Sequence, residues 1–184
     1  MMGPAIGFET ERLGLRQWRA SDLAPFAALN ADPGVMEFFP RPLSREESDA
    51  MADLCSRFLE THRWGVWALE RKDTGEFIGF AGLNIPATPH PFQPCVEVGW
   101  RLDAAHWGRG FATEAARAAL SVAFDRLELT EIVSFAAPTN VRSLRVMERL
   151  GLRESGHFLH ADRPDGTPFR EQVLYRLRRE DWKG

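Results

Sequence analysis

The segment from Glu97 to Ala123 constrains the fold of this chain more than any other. It reads EVGWRLDAAHWGRGFATEAARAALSVA, which is a strand-like alternation, then a short loop with two glycines, then an alanine-rich helical stretch. The first N–H groups of a helix have no intrahelical acceptor, and the helix dipole places partial positive charge there. The segment therefore predicts a strand–loop–helix unit whose glycines let a phosphate reach these groups.

The predicted pyrophosphate cradle consists of Gly108, Arg109, Gly110, Phe111, Ala112 and Thr113. A P-loop is excluded, because Phe111 stands where that motif requires Lys after the last glycine. A dinucleotide-binding fingerprint is a weaker alternative, since Thr113 occupies the place of its third Gly or Ala, although Glu131 lies at a plausible ribose distance. A tight strand-to-helix turn without a ligand is the other alternative.

Two motifs resemble those of the GNAT superfamily, the GCN5-related N-acetyltransferases. The run from Trp107 to Ala115 (WGRGFATEA) is similar to the family's acetyl-CoA loop, Gln/Arg-x-x-Gly-x-Gly/Ala. Gly110 and Ala112 match that pattern, and Trp107 stands in the place of Gln or Arg. The run from Asn140 to Leu152 (NVRSLRVMERLGL) resembles the family's second motif, at the expected separation.

Other segments place the resemblance in one branch of that superfamily. Three segments resemble the corresponding parts of the ribosomal-protein N-terminal alanine acetyltransferases: the Ala-Thr-Glu-Ala continuation of the loop, the opening Glu9–Arg16 and the closing Val173–Leu177. The resemblance implies acetyl-CoA as co-substrate. It also implies a cofactor-binding set of Leu102, Trp107, Gly108, Arg109, Gly110, Phe111, Ala112, Thr113 and Asn140, the last as a partner of the pantetheine arm.

Glu97 and Ser143 are the catalytic residues that the resemblance implies. Relatives often carry a Glu at the position of Glu97, where it acts as a base through water. A backbone N–H near Val98 would stabilise the oxyanion. Many relatives have a Tyr where this chain has Met147, which cannot donate a proton, so Ser143 is the nearest hydroxyl. Glu97 also fits a solvated strand carboxylate, and Ser143 and Asn140 also fit helix caps.

Further charged residues are candidates for the site. If Glu97 is not the base, the next candidates lie near the C-terminal end: His157, His160 and Glu171. A basic cluster is expected near the phosphate end, and it consists of Arg109, Arg142, Arg145 and Arg149.

The order of predicted elements indicates an α+β fold. Segments 64–70, 77–83 and 95–102 predict an antiparallel meander, and the proline-rich 86–94 predicts a loop. Strand 131–137, helix 140–150 and strands 152–157 and 172–177 follow. We expect a GNAT-like fold with a central mixed, mostly antiparallel sheet flanked by helices, in a single domain over residues 1–184.

The N-terminal third predicts two helices. Ser21 and Asp22 are typical of a helix start. The sequence from Ser44 to Glu47 is a capping box, followed by an apolar stripe that predicts core packing: Met51, Leu54, Cys55, Phe58 and Leu59. The family resemblance places the apolar connection Met36–Pro40 beside the acceptor channel. Packing of this connection into the core is the alternative.

Composition limits the partners. A net charge of −3 and a pI near 6.0 argue against nucleic acid and anionic membrane surfaces. Cys55 and Cys95 are too few for a disulfide framework, and the five histidines show no metal-ligand spacing, so no metal is expected. The first seven residues lack the features of a signal peptide. We expect a cytoplasmic protein, and the sequence leaves a homodimer open.

Three functions follow from these patterns. The first is an acetyl-CoA-dependent N-acetyltransferase, whose acceptor is a protein N-terminus or a small-molecule amine. The second, motivated by Met147, is a non-catalytic acyl-CoA-binding or sensor module. The dinucleotide-binding enzyme is the weaker third.

Overall fold

The alternating segments of the sequence assemble into one eight-stranded sheet. The structure is a computed structural model that describes residues 7–184, so the prediction on the chain start lies largely outside the described residues. The strands are β1 (Phe8–Glu9), β2 (Leu13–Arg16), β3 (Val66–Arg71), β4 (Phe77–Asn84), β5 (Glu97–Leu102), β6 (Glu131–Ala136), β7 (Arg153–Leu159) and β8 (Glu171–Arg178). Their order in the sheet is β1-β2-β3-β4-β5-β6-β8-β7.

Only the pairing of β5 with β6 is parallel in this sheet, and it is short. Every other neighbouring pair among residues 7–184 is antiparallel. The β5–β6 register contains the single pair Glu97 and Val133, after which the strands separate. The expected mixed, mostly antiparallel sheet is confirmed. The dinucleotide-binding alternative is wrong, because a doubly wound fold needs successive parallel strands joined by helices.

Four helices cover the sheet: α1 (Leu23–Ala31), α2 (Arg45–His62), α3 (Phe111–Ser121) and α4 (Val141–Arg149). Phe80 and Arg101 lie opposite each other on neighbouring strands, and they contact α1 through Phe26 and Asn30. Residues that alternate with these, such as Leu102, point to the other face, where α3 packs on β4 and β5. The helix pair α1–α2 therefore covers one face, and α3 and α4 cover the other.

The predicted capping box starts α2, but the apolar stripe is only partly core. Ser44 Oγ accepts the N–H of Glu47, and the Glu47 carboxylate accepts the N–H of Ser44. Leu59 is fully buried, whereas Leu54 is 63% exposed. The prediction that Leu54 packs in the core is wrong, because this side of α2 borders the open cleft described below.

The start of α1 also differs from the prediction. A 3₁₀ turn, Ala20–Asp22, precedes the helix, and Asp22 is its N-cap residue without capping through its side chain. The buried Asp22 carboxylate instead accepts from the Arg16 guanidinium at 2.7 and 2.8 Å and from the N–H of Arg19 at 2.8 Å. Burial favours this ion pair over a local cap, because a buried carboxylate needs strong donors.

Candidate functional site

A cleft of about 760 Å³ opens where β5 and β6 separate, and it reaches both faces of the sheet. Its walls include Phe39 and Met51 from the α1–α2 face, and Gly110 and Ser143 from the α3–α4 face. This volume lies within the range of sites for drug-sized and cofactor-sized molecules. The cleft therefore has two ends, and different elements of the chain line each of them.

The glycine loop forms one end of the cleft. Gly108 has φ +74° and Gly110 has φ +82°, a backbone conformation that L side chains rarely adopt. A Cβ at Gly108 would meet no atom within 4 Å, so the space beside it is open. Gly110 is the N-cap residue of α3, and the N–H groups of residues 111–113 point out of the helix start with no intrahelical acceptor. An anion at this position would receive several backbone hydrogen bonds.

An ion pair fixes this loop to the N-terminal hairpin. The Glu114 carboxylate, in the first turn of α3, accepts from the N–H of Arg12 at 2.8 Å and from its Nε at 2.6 Å. Arg12 Nη1 donates to the carbonyl of Arg109 at 2.9 Å, and its guanidinium lies 4.6 Å from the centre of the Phe111 ring. The pairing with Arg12 and Thr10 lowers the pKa of Glu114 against the effect of burial. Arg12 thus offsets a negative charge that would otherwise repel an anion.

Trp107 holds the loop against β5. Its Nε1 donates to the carbonyl of Leu102 at 2.8 Å, and the Arg142 guanidinium lies 4.3 Å from its ring centre. Leu102 is buried and lines the cleft, so any contact that it makes with a ligand lies at the base of the loop. The carbonyl of Val98 accepts from Ser134 Oγ of β6 at 2.8 Å, and the register pairs none of residues 99–102 with β6. This open strand edge offers backbone hydrogen bonds along the wall of the cleft.

Asn140 and Ser143 lie together at the start of α4. Asn140 is the N-cap residue, and its Oδ1 accepts the N–H of Ser143 at 3.2 Å. Both residues line the cleft, with the Asn140 amide nitrogen still available as a donor. Met147 is buried and also lines the cleft, whereas Tyr175, the single tyrosine of the chain, lies on β8 beside Glu148. Ser143 therefore carries the only hydroxyl that α4 presents to the cleft.

Glu97 lies at the first residue of β5, on the face that α1 and α2 cover. Burial raises the pKa of its carboxyl to about 7, and a hydrogen bond from Asn84 and the positive charge of Arg163 act in the opposite direction. Asn84 is its cross-strand neighbour on β4. A carboxyl with this pKa exchanges a proton near neutral pH, which suits a general base.

Four further polar residues line the Glu97 end of the cleft: His90, Arg101, His160 and Arg163. Only His160 was among the candidates from the sequence, and no role was predicted for the other three. Arg101 shares the strand face of Glu97, so period-2 alternation already indicated its direction. His90 is 8% exposed, and its Nε2 has no hydrogen-bond partner within residues 7–184. The two histidines pack against each other with ring centres 5.0 Å apart, and burial lowers the pKa of each.

Other predicted site residues lie elsewhere. Arg109 is exposed and is not part of the cleft wall, although Arg142, Arg145 and Arg149 are. His157 is outside the cleft wall, where hydrogen bonds with Glu171 and Glu154 raise its pKa. Both possibilities for the Met36–Pro40 connection hold in part, because Met36 is buried while Phe38 and Phe39 line the cleft.

The profile of the family described as "Acetyltransferase (GNAT) domain" matches residues 12–153. This chain belongs to the GNAT acetyltransferases. The match includes the glycine loop and the α4 motif, and it makes the protein an acyltransferase. Acetyl-CoA is the co-substrate that this family uses.

Individual relatives agree with this assignment. The chain is 31% identical over 147 residues to the uncharacterized protein YkkB of Bacillus subtilis, covering 79% of this chain and 84% of YkkB. It is 28% identical over 167 residues to the uncharacterized N-acetyltransferase YoaA of the same organism, covering 90% and 93%. RimJ of Mycobacterium smegmatis, solved in complex with CoA-disulfide, has a TM-score of 0.71 at 22% identity and covers 91% of this chain and 82% of its own. At that identity the likeness is one of fold.

Residues 7–184 contain no group of three His, Cys, Asp or Glu side chains arranged to hold a metal ion. In the same range, no helix combines the length and the apolar character needed to cross a membrane. Burial raises the pKa of the Cys55 thiol to about 11, and both cysteines are free.

Proposed function

We propose that this GNAT enzyme transfers an acetyl group from acetyl-CoA to a primary amine by direct attack in a ternary complex. The observation that carries the proposal is the cleft between β5 and β6, with an anion cradle at one end and a carboxyl of pKa about 7 at the other. A co-substrate and an acceptor can therefore enter from opposite faces of the sheet and meet beside β5.

The cradle fits a pyrophosphate in three respects. Positive φ at Gly108 and Gly110 leaves the loop backbone uncovered, and the free N–H groups of α3 point toward the open space. Arg142 and Arg145 supply positive charge on the cleft wall. The pantetheine arm would follow the open edge of β5, with the Asn140 amide nitrogen as a donor.

Proton movements at the site follow from the residues present. The nucleophile must be a neutral amine, so Glu97 would accept the amine proton through water as the N–C bond forms and the C–S bond breaks. The departing thiolate takes a proton from Ser143 or from water. A backbone N–H of the open edge of β5 would stabilise the oxyanion.

A non-catalytic acyl-CoA sensor is the second candidate. It is favoured by Met147, because no tyrosine lines the cleft to protonate the thiolate. This argument for the sensor is weak, because a thiolate is a good leaving group and needs little help from an acid.

Release of free thiol from acetyl-CoA across a panel of amines separates the candidates. The panel contains peptides with free N-termini, amino acids, polyamines and aminoglycosides. Turnover above the rate without acceptor supports the transferase. Tight CoA binding with no turnover on any acceptor would support the sensor and contradict our proposal.

The acceptor class, a homodimer, a cytoplasmic location and a single domain over residues 1–184 all stay predictions. Size-exclusion chromatography with light scattering measures the oligomeric state directly. A protein N-terminus is the acceptor suggested by the branch resemblance, and a small amine fits the chemistry equally well.

A further inference from the structure

The Glu97 end of the cleft contains a half-buried arginine, Arg101, which forms no ion pair with an acidic side chain among residues 7–184. Arg101 Nη1 donates to Asn30 Oδ1 at 2.6 Å, and its guanidinium lies 4.3 Å from the centre of the Phe39 ring. Its Nε is buried and has no hydrogen-bond partner among residues 7–184. Burial and the charge of Arg163 lower the pKa of Arg101 to about 10, so it remains protonated at neutral pH.

Arg163 adds a second cation beside the same aromatic ring. Its Nη1 donates to the carbonyl of Phe38 at 2.8 Å, and its guanidinium lies 5.0 Å from the Phe39 ring centre. Asp162 and Glu97 attract it, but within residues 7–184 neither forms an ion pair with it at 4.0 Å or less. Both arginines line the cleft.

The groups around the two arginines offset their charge only in part, because Asp162 attracts Arg163 without forming an ion pair with it among residues 7–184. The pKa of Glu97 is about 7, so this carboxylate is only partly ionised at neutral pH. The histidines at this end have lowered pKa values and are mainly neutral. Two like charges in a desolvated cleft are unfavourable without a counter-charge. This arrangement becomes favourable when an anion binds between them.

The cradle for the co-substrate does not supply that anion. Arg101 points toward α1, whereas the glycine loop leads into α3 on the opposite face of the sheet. Along β5, Glu97 and Arg101 are four residues apart, roughly 13 Å between Cα atoms. Arg163 shortens this span, because it lies beside the same Phe39 ring as Arg101 and its charge also reaches Glu97. An acceptor whose amine lies near Glu97 therefore has Arg163 within reach of a carboxylate a few bonds from that amine, with Arg101 next to it.

We propose that the acceptor carries a carboxylate close to its reactive amine, and that Arg101 and Arg163 bind this carboxylate. The proposal rests on the transferase function above. A guanidinium presents two parallel N–H donors that match the two oxygens of a carboxylate, which explains arginine rather than lysine at these positions. The carboxylate can be the α-carboxylate of a free amino acid or the acidic side chain that follows a protein N-terminus.

Matched acceptor pairs test this proposal. Each free amino acid is compared with its carboxamide, and peptides beginning Ala-Glu are compared with peptides beginning Ala-Gln. We expect kcat/KM for the acid to exceed that for the amide at least tenfold in one of the two series, and that series identifies the source of the carboxylate. Equal kcat/KM for acid and amide in both series would overturn the proposal and leave the transferase function intact.

Substitutions connect the preference to the two arginines. Arg163→Met should lower kcat/KM for the acid about 10- to 100-fold, the range of a lost charge-assisted hydrogen bond, with little change for the amide or in KM for acetyl-CoA. Arg101→Lys retains the positive charge but removes the two parallel N–H donors of the guanidinium, so the loss in kcat/KM for the acid should be smaller. Arg57→Met on the exposed side of α2 is the matched control, because Arg57 pairs with Asp53 away from the cleft.

Binding measurements keep this proposal separate from the proposed function. Calorimetry of the CoA-loaded protein needs no turnover, and it uses both series: N-acetyl amino acids with their amides, and N-acetyl-Ala-Glu peptides with N-acetyl-Ala-Gln peptides. Tighter binding of the acid, lost in Arg163→Met protein with an unchanged thermal melt, supports the anion site even if no amine is acetylated. Equal binding of acid and amide would overturn it.

Discussion

Replacing Glu97 with Gln tests the central chemical step. The substitution keeps the shape of the side chain and removes its basicity. General-base assistance typically contributes about 10²- to 10⁴-fold, and we expect a loss in kcat of about 100-fold at pH 8.5, with KM for acetyl-CoA little changed. The low end of the range applies because the Glu97 carboxylate acts through water and competes with solvent.

The raised pKa makes the size of this effect depend on pH. The pKa of Glu97 is about 7, so the carboxyl is mostly ionised at pH 8.5, but only about 3% ionised at pH 5.5. The wild-type rate should therefore rise through pH 7 and level off, while the rate of Glu97→Gln stays flat. The hundredfold difference at pH 8.5 should shrink to a few-fold at pH 5.5.

The assay needs an acceptor that does not titrate in the same range. A weakly basic primary amine that is already neutral at pH 5.5 removes the contribution of the acceptor to the pH profile. Glu154→Gln on the exposed surface of β7 is the matched control and should retain the wild-type profile. Full kcat in Glu97→Gln would refute the reasoning, and the base would then be sought at His160, the remaining candidate that lines the cleft.

Other substitutions test the rest of the site. Gly110→Asp should abolish most CoA affinity, because it places a negative charge where the cradle would hold the pyrophosphate. Gly110→Asn is the control and should cost far less, since Asn has the same shape as Asp, carries no charge and tolerates positive φ. Equal Kd values for CoA by calorimetry in the two variants would contradict the cradle. Ser143→Ala should lower kcat only a few-fold, about 1 kcal/mol, because water protonates a thiolate readily; a hundredfold loss would make Ser143 an essential acid. Glu97→Gln should raise the free energy of unfolding by roughly 3 kcal/mol at pH 8 and by roughly 1 kcal/mol at pH 5, because a carboxyl whose folded pKa lies above its unfolded pKa destabilises the fold as pH rises between the two values; denaturant melts at both pH values measure this. Melting temperatures should be the same with reductant and with chelator, and a large drop in either would contradict the absence of a disulfide or metal.

Local sequence signals were enough to predict the secondary-structure elements and the glycine loop. Capping chemistry at Ser44, period-2 alternation in the meander and the glycines at 108 and 110 are local signals, because each depends on backbone preferences within a few residues. They were sufficient to predict a mostly antiparallel sheet and a strand–loop–helix unit. The conformations of Gly108 and Gly110 agree with that prediction.

The Glu97 end of the cleft depends on contacts between segments that are distant in the chain. Arg163 is about 60 residues from Arg101 in the chain and lies in the irregular segment between β7 and β8, so no periodicity indicated that the two share a cleft. Leu54 has the spacing of the apolar stripe on α2, yet its side chain is exposed and borders the cleft instead of the core. The pKa of Glu97 also depends on this assembly, because burial by distant segments is what raises it. Sequence patterns report local geometry, whereas desolvation and charge pairing depend on which segments the fold brings together.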